Sequence, residues 1–308
     1  MRQAVRVAVI GVGHLGSRHA QIYAAMPGVR LVAVCDRDPQ RAAAAATEAG
    51  CRAVTDYRML LAQVDAASLA VPTTLHGPIG EVLLRHGVHL LIEKPIASTL
   101  AQADALIRQA RRRRCILQVG HVERFNAAIH AALRYLTHPR FIEVHRLSPY
   151  PSRGTDVSVV LDVMIHDLDL ILALVRSRVR RIAAVGVPVL SASEDIANAR
   201  VEFASGCVAN LTASRISDET IRRIRVFQPD SYLSIDYQNQ TVELARKTRQ
   251  GITRVQLPVN RRPPLTEELA SFVQAIRAHR RPEVSGADGR AALALALRIE
   301  QTLRRRTR

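Results

Sequence analysis

Residues 5–19 read VRVAVIGVGHLGSRH, and the organisation of the whole chain follows from this stretch. Val5, Val7, Val9 and Ile10 make a short apolar run rich in β-branched residues, which predicts a buried strand. Gly11, Gly13 and Gly16 follow in the spacing G-x-G-x-x-G, so strand, tight turn and helix come in that order. The first glycine lets the chain turn sharply, the second lets backbone approach a pyrophosphate, and the third lets the new helix pack close to its strand. Phosphates then meet the free N–H groups and the positive dipole end of the helix N-terminus.

The pattern continues outward. Pro27 and Gly28 end the helix, Val29 to Cys35 is a second apolar strand, and Asp36 stands at its tip. An acid there accepts hydrogen bonds from ribose hydroxyls and repels a 2′-phosphate, which favours NAD over NADP. Arg37 beside it is the one feature that would accommodate the extra phosphate. A helix follows with Asp38 as N-cap, Pro39 in the first turn and Gly50 past its end. Strands near Val54 and over Asp65–Val71, Val88–Ile92 and Cys115–Gly120 then alternate with helices near Tyr57–Gln63, over Pro78–His86 and from Thr99 onward. Residues 1–120 therefore read as a doubly wound parallel sheet of the Rossmann type, whose ligands bind at the carboxyl edge. Pro72, Thr73, Thr74 and His76 stand at that edge, and so do Glu93, Lys94 and Pro95. A lysine at the tip of a buried strand is placed to hydrogen-bond a substrate hydroxyl, and partial burial lowers its pKa toward useful values.

The second half changes character. A helix near Asn126–Leu136 precedes an isolated strand, Phe141–Leu147, and a polar loop holding Tyr150, Pro151, Arg153, Gly154 and Asp156. Over Val159–Leu174 a helical apolar pattern is interrupted by Asp162, His166, Asp167 and Asp169. Asp162 and His166 are four apart and share one helix face. A carboxylate so placed orients an imidazole that can accept a proton from an alcohol. From Ile182 to Leu257 the pattern is strands separated by turns such as Ser205-Gly206 and Gln250-Gly251, with helices again near Thr266–His279 and Asp288–Arg304. Residues 121–308 thus read as an α+β domain with an open, mainly antiparallel sheet. Helices would cover one face, leaving the other for a homodimer or homotetramer contact.

Composition sets the outer limits. A chain of 308 residues with 48% hydrophobic content supports two domains of ordinary size. No apolar run approaches a membrane span and the N-terminus enters a strand at once, so a cytoplasmic enzyme without a signal peptide is expected. Cys35, Cys51, Cys115 and Cys207 are scattered, which argues against a disulfide framework or a zinc site, and no third ligand accompanies the acidic helix to suggest another metal. The net charge of +17 is most visible in runs such as Arg111–Arg114 and Arg304–Arg306, but aromatics are only 4% and Trp is absent, so no nucleic-acid partner is expected. Cations at helix ends favour the dipole, and general positive charge draws in anionic cofactors and substrates.

Taken together, the glycine turn with His19 downstream, the Pro72–His76 segment, Glu93-Lys94-Pro95 and the Asp162…His166 pair resemble the Gfo/Idh/MocA family of NAD(P)-dependent sugar and cyclitol oxidoreductases. The resemblance covers the whole chain. It implies that Lys94, Asp162 and His166 are the catalytic residues, and that Gly11, Gly13, His14, Leu15, Gly16, Asp36, Arg37, Pro72, Thr73, His76, Glu93, Lys94 and Arg124 bind the cofactor. The runs GHVERFN (Gly120–Asn126) and TDVSVVLDVMIHDLD (Thr155–Asp169) resemble a bacterial branch that oxidises sugar nucleotides. That branch implies oxidation of the 3-hydroxyl of UDP-N-acetylglucosamine, with an aminotransferase turning the 3-keto product into a 3-amino sugar for lipid A. Arg124, Asn126 and Arg153 are the candidates for the sugar nucleotide, together with Lys94 and His166, because guanidinium forks suit diphosphate oxygens. Either His166 or Lys94 would serve as the base. The alternatives are a dehydrogenase of a free sugar or cyclitol, which needs no arginines for a diphosphate, and a nicotinamide-binding sensor, which has no use for the Lys, Asp and His together.

Overall fold

The computed structural model describes residues 3–150 and 157–306, and its chain divides into two compact units. The first contains six parallel strands, β1 (Val5–Ile10), β2 (Val29–Cys35), β3 (Arg52–Val54), β4 (Ala66–Leu69), β5 (His89–Glu93) and β6 (Leu117–Gly120). Their spatial order is β3-β2-β1-β4-β5-β6, so the order reverses beside β1, where β2 lies on one side and β4 on the other. Val7, Ala8 and Val9 are fully buried, as expected of a parallel strand covered on both faces. Between the strands run α1 (His14–Ala25), α2 (Pro39–Ala49), α3 (Thr73–Arg85) and α4 (Leu100–Arg113). The caps of α2 follow from its sequence: the Asp38 carboxylate accepts the N–H groups of Gln40 and Arg41, and Gly50 closes the helix in the left-handed conformation.

Two differences from the sequence reading have clear causes. Helix α3 begins at Thr73 rather than Pro78, leaving the proline inside the helix. Proline favours first turns, but here the buried face of His76, Gly77, Gly80, Leu83 and Leu84 extends upstream of it. The expected boundary at residue 120 also hides a return of the chain, because residues 265–290 belong to the first unit. Leu269, Phe272, Val273 and Ile276 of α7 (Pro264–Ala278) pack with Val7, Val9, Val34 and Leu91. Arg290, within the helix α8 (Gly286–Arg306), pairs with Asp104 of α4 at 2.5 Å.

The second unit comprises residues 122–264 and 291–308. It holds α5 (Ala127–Leu133), α6 (Ile165–Val175) and eight strands: β7 (Phe141–Leu147), β8 (Val179–Val187), β9 (Ile196–Phe203), β10 (Val208–Ser214), β11 (Ile221–Phe227), β12 (Ser231–Asp236), β13 (Thr241–Thr248) and β14 (Gly251–Gln256). The sheet order is β14-β13-β12-β11-β7-β10-β9-β8. The strand at Phe141–Leu147 is therefore not isolated but central, antiparallel to β11 and parallel to β10. That one parallel pair needs a long crossover, and the chain supplies it through α6 and two further strands. Ile142 and Val144 of β7, Ile224 and Val226 of β11 and Leu233 and Ile235 of β12 alternate into a core shared with Ile165 and Leu168 of α6. Across from them, Glu143 and Arg225 form a 3.1 Å pair on the opposite, polar face of the sheet.

Candidate functional site

The glycine turn shows which of its three positions the protein itself requires. A Cβ on Gly16 would lie 1.8 Å from the Gly11 carbonyl oxygen, and one on Gly11, whose φ is +85°, would lie 2.6 Å from that of Ala70. Neither space exists. A Cβ on Gly13, by contrast, would meet nothing within 4 Å. Packing does not demand glycine there, whereas close approach of a diphosphate does. Gly13 is also the N-cap of α1 and provides no side-chain cap, which leaves the first-turn N–H groups for an anion. These features fit a dinucleotide.

Asp36 is placed by the same turn. Its Oδ2 accepts the Val12 N–H at 3.0 Å and its Oδ1 accepts the Asp38 N–H at 3.0 Å, so the carboxylate is fixed at the β2 tip. Around it lies a cavity of about 440 Å³ lined by Gly11, Gly13, Asp36, Arg37, Val71 and Pro72. Of the other expected cofactor positions, His14 and Arg37 are exposed, while Leu15 and Thr73 are half-buried. Arg41, Thr55, Tyr57 and Leu75 also line the cavity and were not anticipated. Thr55 and Tyr57 follow β3 directly, so the rule that ligands sit at strand carboxyl ends could have found them.

Lys94 follows the last residue of β5 and is half-buried; its peptide bond to Pro95 is cis. Glu93 is buried, and its Oε2 accepts the Lys94 N–H at 3.3 Å. His76, expected to touch the cofactor, is 1% exposed and lies between two carbonyls, Nδ1 at 2.8 Å from Pro95 O and Nε2 at 2.9 Å from Val71 O, to one of which its single N–H donates. Burial pushes its imidazole below the ordinary value, with the two carbonyls and Glu93 opposing. A group so enclosed sits between the loop after β4 and the Pro95 turn.

In the second unit a π-helical turn, Val160–Met164, carries Asp162 and runs into α6, which carries His166. Such turns recur at functional sites. Both side chains are half-buried. Beneath them Asp167, 1% exposed, accepts Arg146 Nε at 2.9 Å and the Tyr237 hydroxyl at 2.6 Å, and Arg146 also donates to Glu123 at 3.2 Å. Burial works against the charge on Arg146, but the carboxylates of Asp167 and Glu123 outweigh it and raise its pKa further. Burial likewise raises the Tyr237 phenol, which stays neutral. Asn126, expected among the substrate ligands, is part of this network. It is 2% exposed, donates to Tyr237 O at 2.7 Å and to Glu123 at 3.3 Å, and caps α5 by accepting the Ala128 N–H at 3.1 Å. Arg124 is 18% exposed and lies 3.6 Å from Asp169. Arg153 falls outside the described residues.

Comparison with known proteins adds to this geometry. A model described as the oxidoreductase family with an NAD-binding Rossmann fold matches residues 5–121, and one for the Gfo/Idh/MocA C-terminal domain matches residues 119–229. The chain is 41% identical over 306 residues to UDP-N-acetylglucosamine 3-dehydrogenase from Acidithiobacillus ferrooxidans, covering 96% of each chain. A solved structure of that enzyme matches with a TM-score of 0.93 over 98% of each chain. Inositol 2-dehydrogenase from Rhizobium meliloti is 28% identical, over 95% of this chain and 94% of its own. A levoglucosan dehydrogenase complex, 19% identical with a TM-score of 0.88 over 98% of each chain, shares the fold.

Proposed function

The chain belongs to the Gfo/Idh/MocA oxidoreductase family, and from that premise we propose that it oxidises the 3-hydroxyl of UDP-N-acetylglucosamine to the 3-keto sugar nucleotide with NAD as acceptor. The observation that carries the substrate is the 41% identity over 96% of both chains to an enzyme of that name, against 28% for the inositol 2-dehydrogenase. Bound NAD supplies the hydride acceptor. Either His166 or Lys94 takes the proton of the 3-hydroxyl as general base. Asp162, four residues before His166, orients the imidazole or the hydroxyl. Asp36 selects NAD by accepting from the ribose. Arg124 and Arg153 present guanidinium groups to the diphosphate.

Around this reaction we place a cytoplasmic homodimer or homotetramer formed through the polar face of the eight-stranded sheet. The 3-keto product is a substrate for an aminotransferase, and the resulting 3-amino sugar serves lipid A assembly. Among the described residues no helix is long and apolar enough to cross a membrane.

The test follows NAD reduction by near-ultraviolet absorbance with UDP-N-acetylglucosamine as substrate and a transaminating partner to draw off the ketone. Substrate-dependent reduction, inhibited by UDP alone, supports the proposal. Oxidation of inositol or free glucose with indifference to UDP overturns the substrate assignment.

A further inference from the structure

Lys94 is flanked by two residues that each lie against a buried histidine. On its amino side, the Glu93 carboxylate accepts the Lys94 N–H and lies 3.4 Å from Nε2 of His19. His19 is on α1 and fully buried, and it converges with Glu93 and the buried Glu268 of α7 so that one donor atom from each lies within 4.8 Å of the others. Gly120 leaves the room this carboxylate occupies, since both its oxygens rest 2.8 Å from where a Cβ there would stand. On the carboxyl side, the Pro95 carbonyl is held by His76 of α3, whose other nitrogen reaches Val71 in the loop after β4. Helices α1 and α3 follow β1 and β4, the two strands beside the nucleotide cavity. One helix therefore sets an enclosed imidazole beside the Glu93 carboxylate, and the other sets one beside the Pro95 carbonyl.

Neither histidine is exposed enough to meet a substrate, and neither is spent on its own helix. We infer that His19 and His76 are positioning residues that fix the backbone at Lys94, so that its ammonium is presented in one place at the end of β5. The inference rests on the reading of Lys94 as a catalytic group. A flexible lysine tip would sample many placements, and misplacement by about 1 Å can cost about 100-fold in rate.

The experiment is a set of double-variant cycles on the full-length protein. His76→Leu keeps the apolar volume and removes the ring's N–H donor, while His76→Gln restores an amide donor. His19→Leu and His19→Gln are made alongside, and each is combined with Lys94→Ala. Melting temperature and NAD affinity are measured for all. The expected result is a fall in kcat of about 10- to 100-fold for each leucine variant, a partial recovery for each glutamine variant, little change in NAD affinity, and no further loss in the Lys94→Ala background. Groups that act through one another are non-additive, whereas a merely structural role lowers activity in both backgrounds alike. Additive losses, or leucine variants that fold and turn over normally, overturn the inference while leaving the function intact. If Lys94→Ala itself turns over normally, the catalytic reading of Lys94 fails and takes this inference with it.

Discussion

The turn at Gly11–Gly16 and the helix α6 are both candidate ligand sites, and they are constructed from different materials. The first is made of backbone: absent side chains at Gly11, Gly13 and Gly16, uncapped N–H groups, and one carboxylate, Asp36, bonded to two peptide N–H groups. The second is made of side chains. Arg146, Glu123, Asp167, Tyr237 and Asn126 come from four separate stretches and support α6 through a buried ionic network. A site built of backbone tolerates almost no added atoms. A site built of paired charges tolerates changes of volume but not the removal of one partner.

Substitutions that probe each material should separate the two. The largest effect belongs to Gly16→Ala: with the new Cβ 1.8 Å from a carbonyl oxygen, the turn must open, and we expect a loss of more than about 4 kcal/mol with NAD binding abolished, read by chemical denaturation and calorimetry. Arg146→Leu comes next, since it leaves Asp167 and Glu123 buried with an apolar neighbour. A loss of about 3–5 kcal/mol is expected, and a wild-type denaturation midpoint would show that the network is dispensable.

A third substitution tests a second ionic cluster in the same unit. Asp195, fully buried, accepts the N–H groups of Val189, Leu190 and Ser191 and pairs with Arg215 Nε at 2.8 Å. Burial opposes its charge, yet the Ser191 hydroxyl, these N–H groups and Arg215 hold its carboxyl well below the usual range. Its folded pKa is thus lower than the unfolded value of about 3.9. The unfolded chain takes up the proton first, so the stabilisation is present above that value and is lost as pH falls toward the folded one. Asp195→Asn should cost about 1.5–3 kcal/mol at neutral pH, and the gap to wild type should close in acid. A constant gap across the titration would assign the effect to shape rather than charge. The smallest effect on folding is expected from Gly13→Ala, where the added methyl meets only open space. Stability should stay within about 0.5 kcal/mol, while NAD affinity falls about tenfold or more, equivalent to about 1.4 kcal/mol.

The same contrast explains what could be read in the sequence. A backbone site needs fixed spacing, so Gly11, Gly13, Gly16 and the acid at the next strand tip stand out in a linear string. The caps of α2 were legible for the same reason, since Asp38, Pro39 and Gly50 each act on their own neighbours. The network behind α6 was not legible, because Glu123, Arg146, Asp167 and Tyr237 have no common spacing and meet only when the sheet forms. The place of Asn126 in that network was hidden on the same account, since nothing local announces that Tyr237 takes its amide. The central place of β7 was hidden likewise, because its partners β10 and β11 lie far along the chain.

Residues 265–290 complete the first unit, and this bears on the order in which the protein comes into being. A ribosome emits all of residues 122–264 before the segment bearing Phe272 exists. Until then Val7, Val9 and Leu91 lack a covering layer that belongs to their core. The glycine turn is thus among the first structures encoded and among the last to be secured. A fragment ending near residue 121 would carry every recognisable nucleotide motif and still expose the apolar face that α7 covers, so a nascent or truncated chain would present a surface suited to chaperones before it presented one suited to NAD.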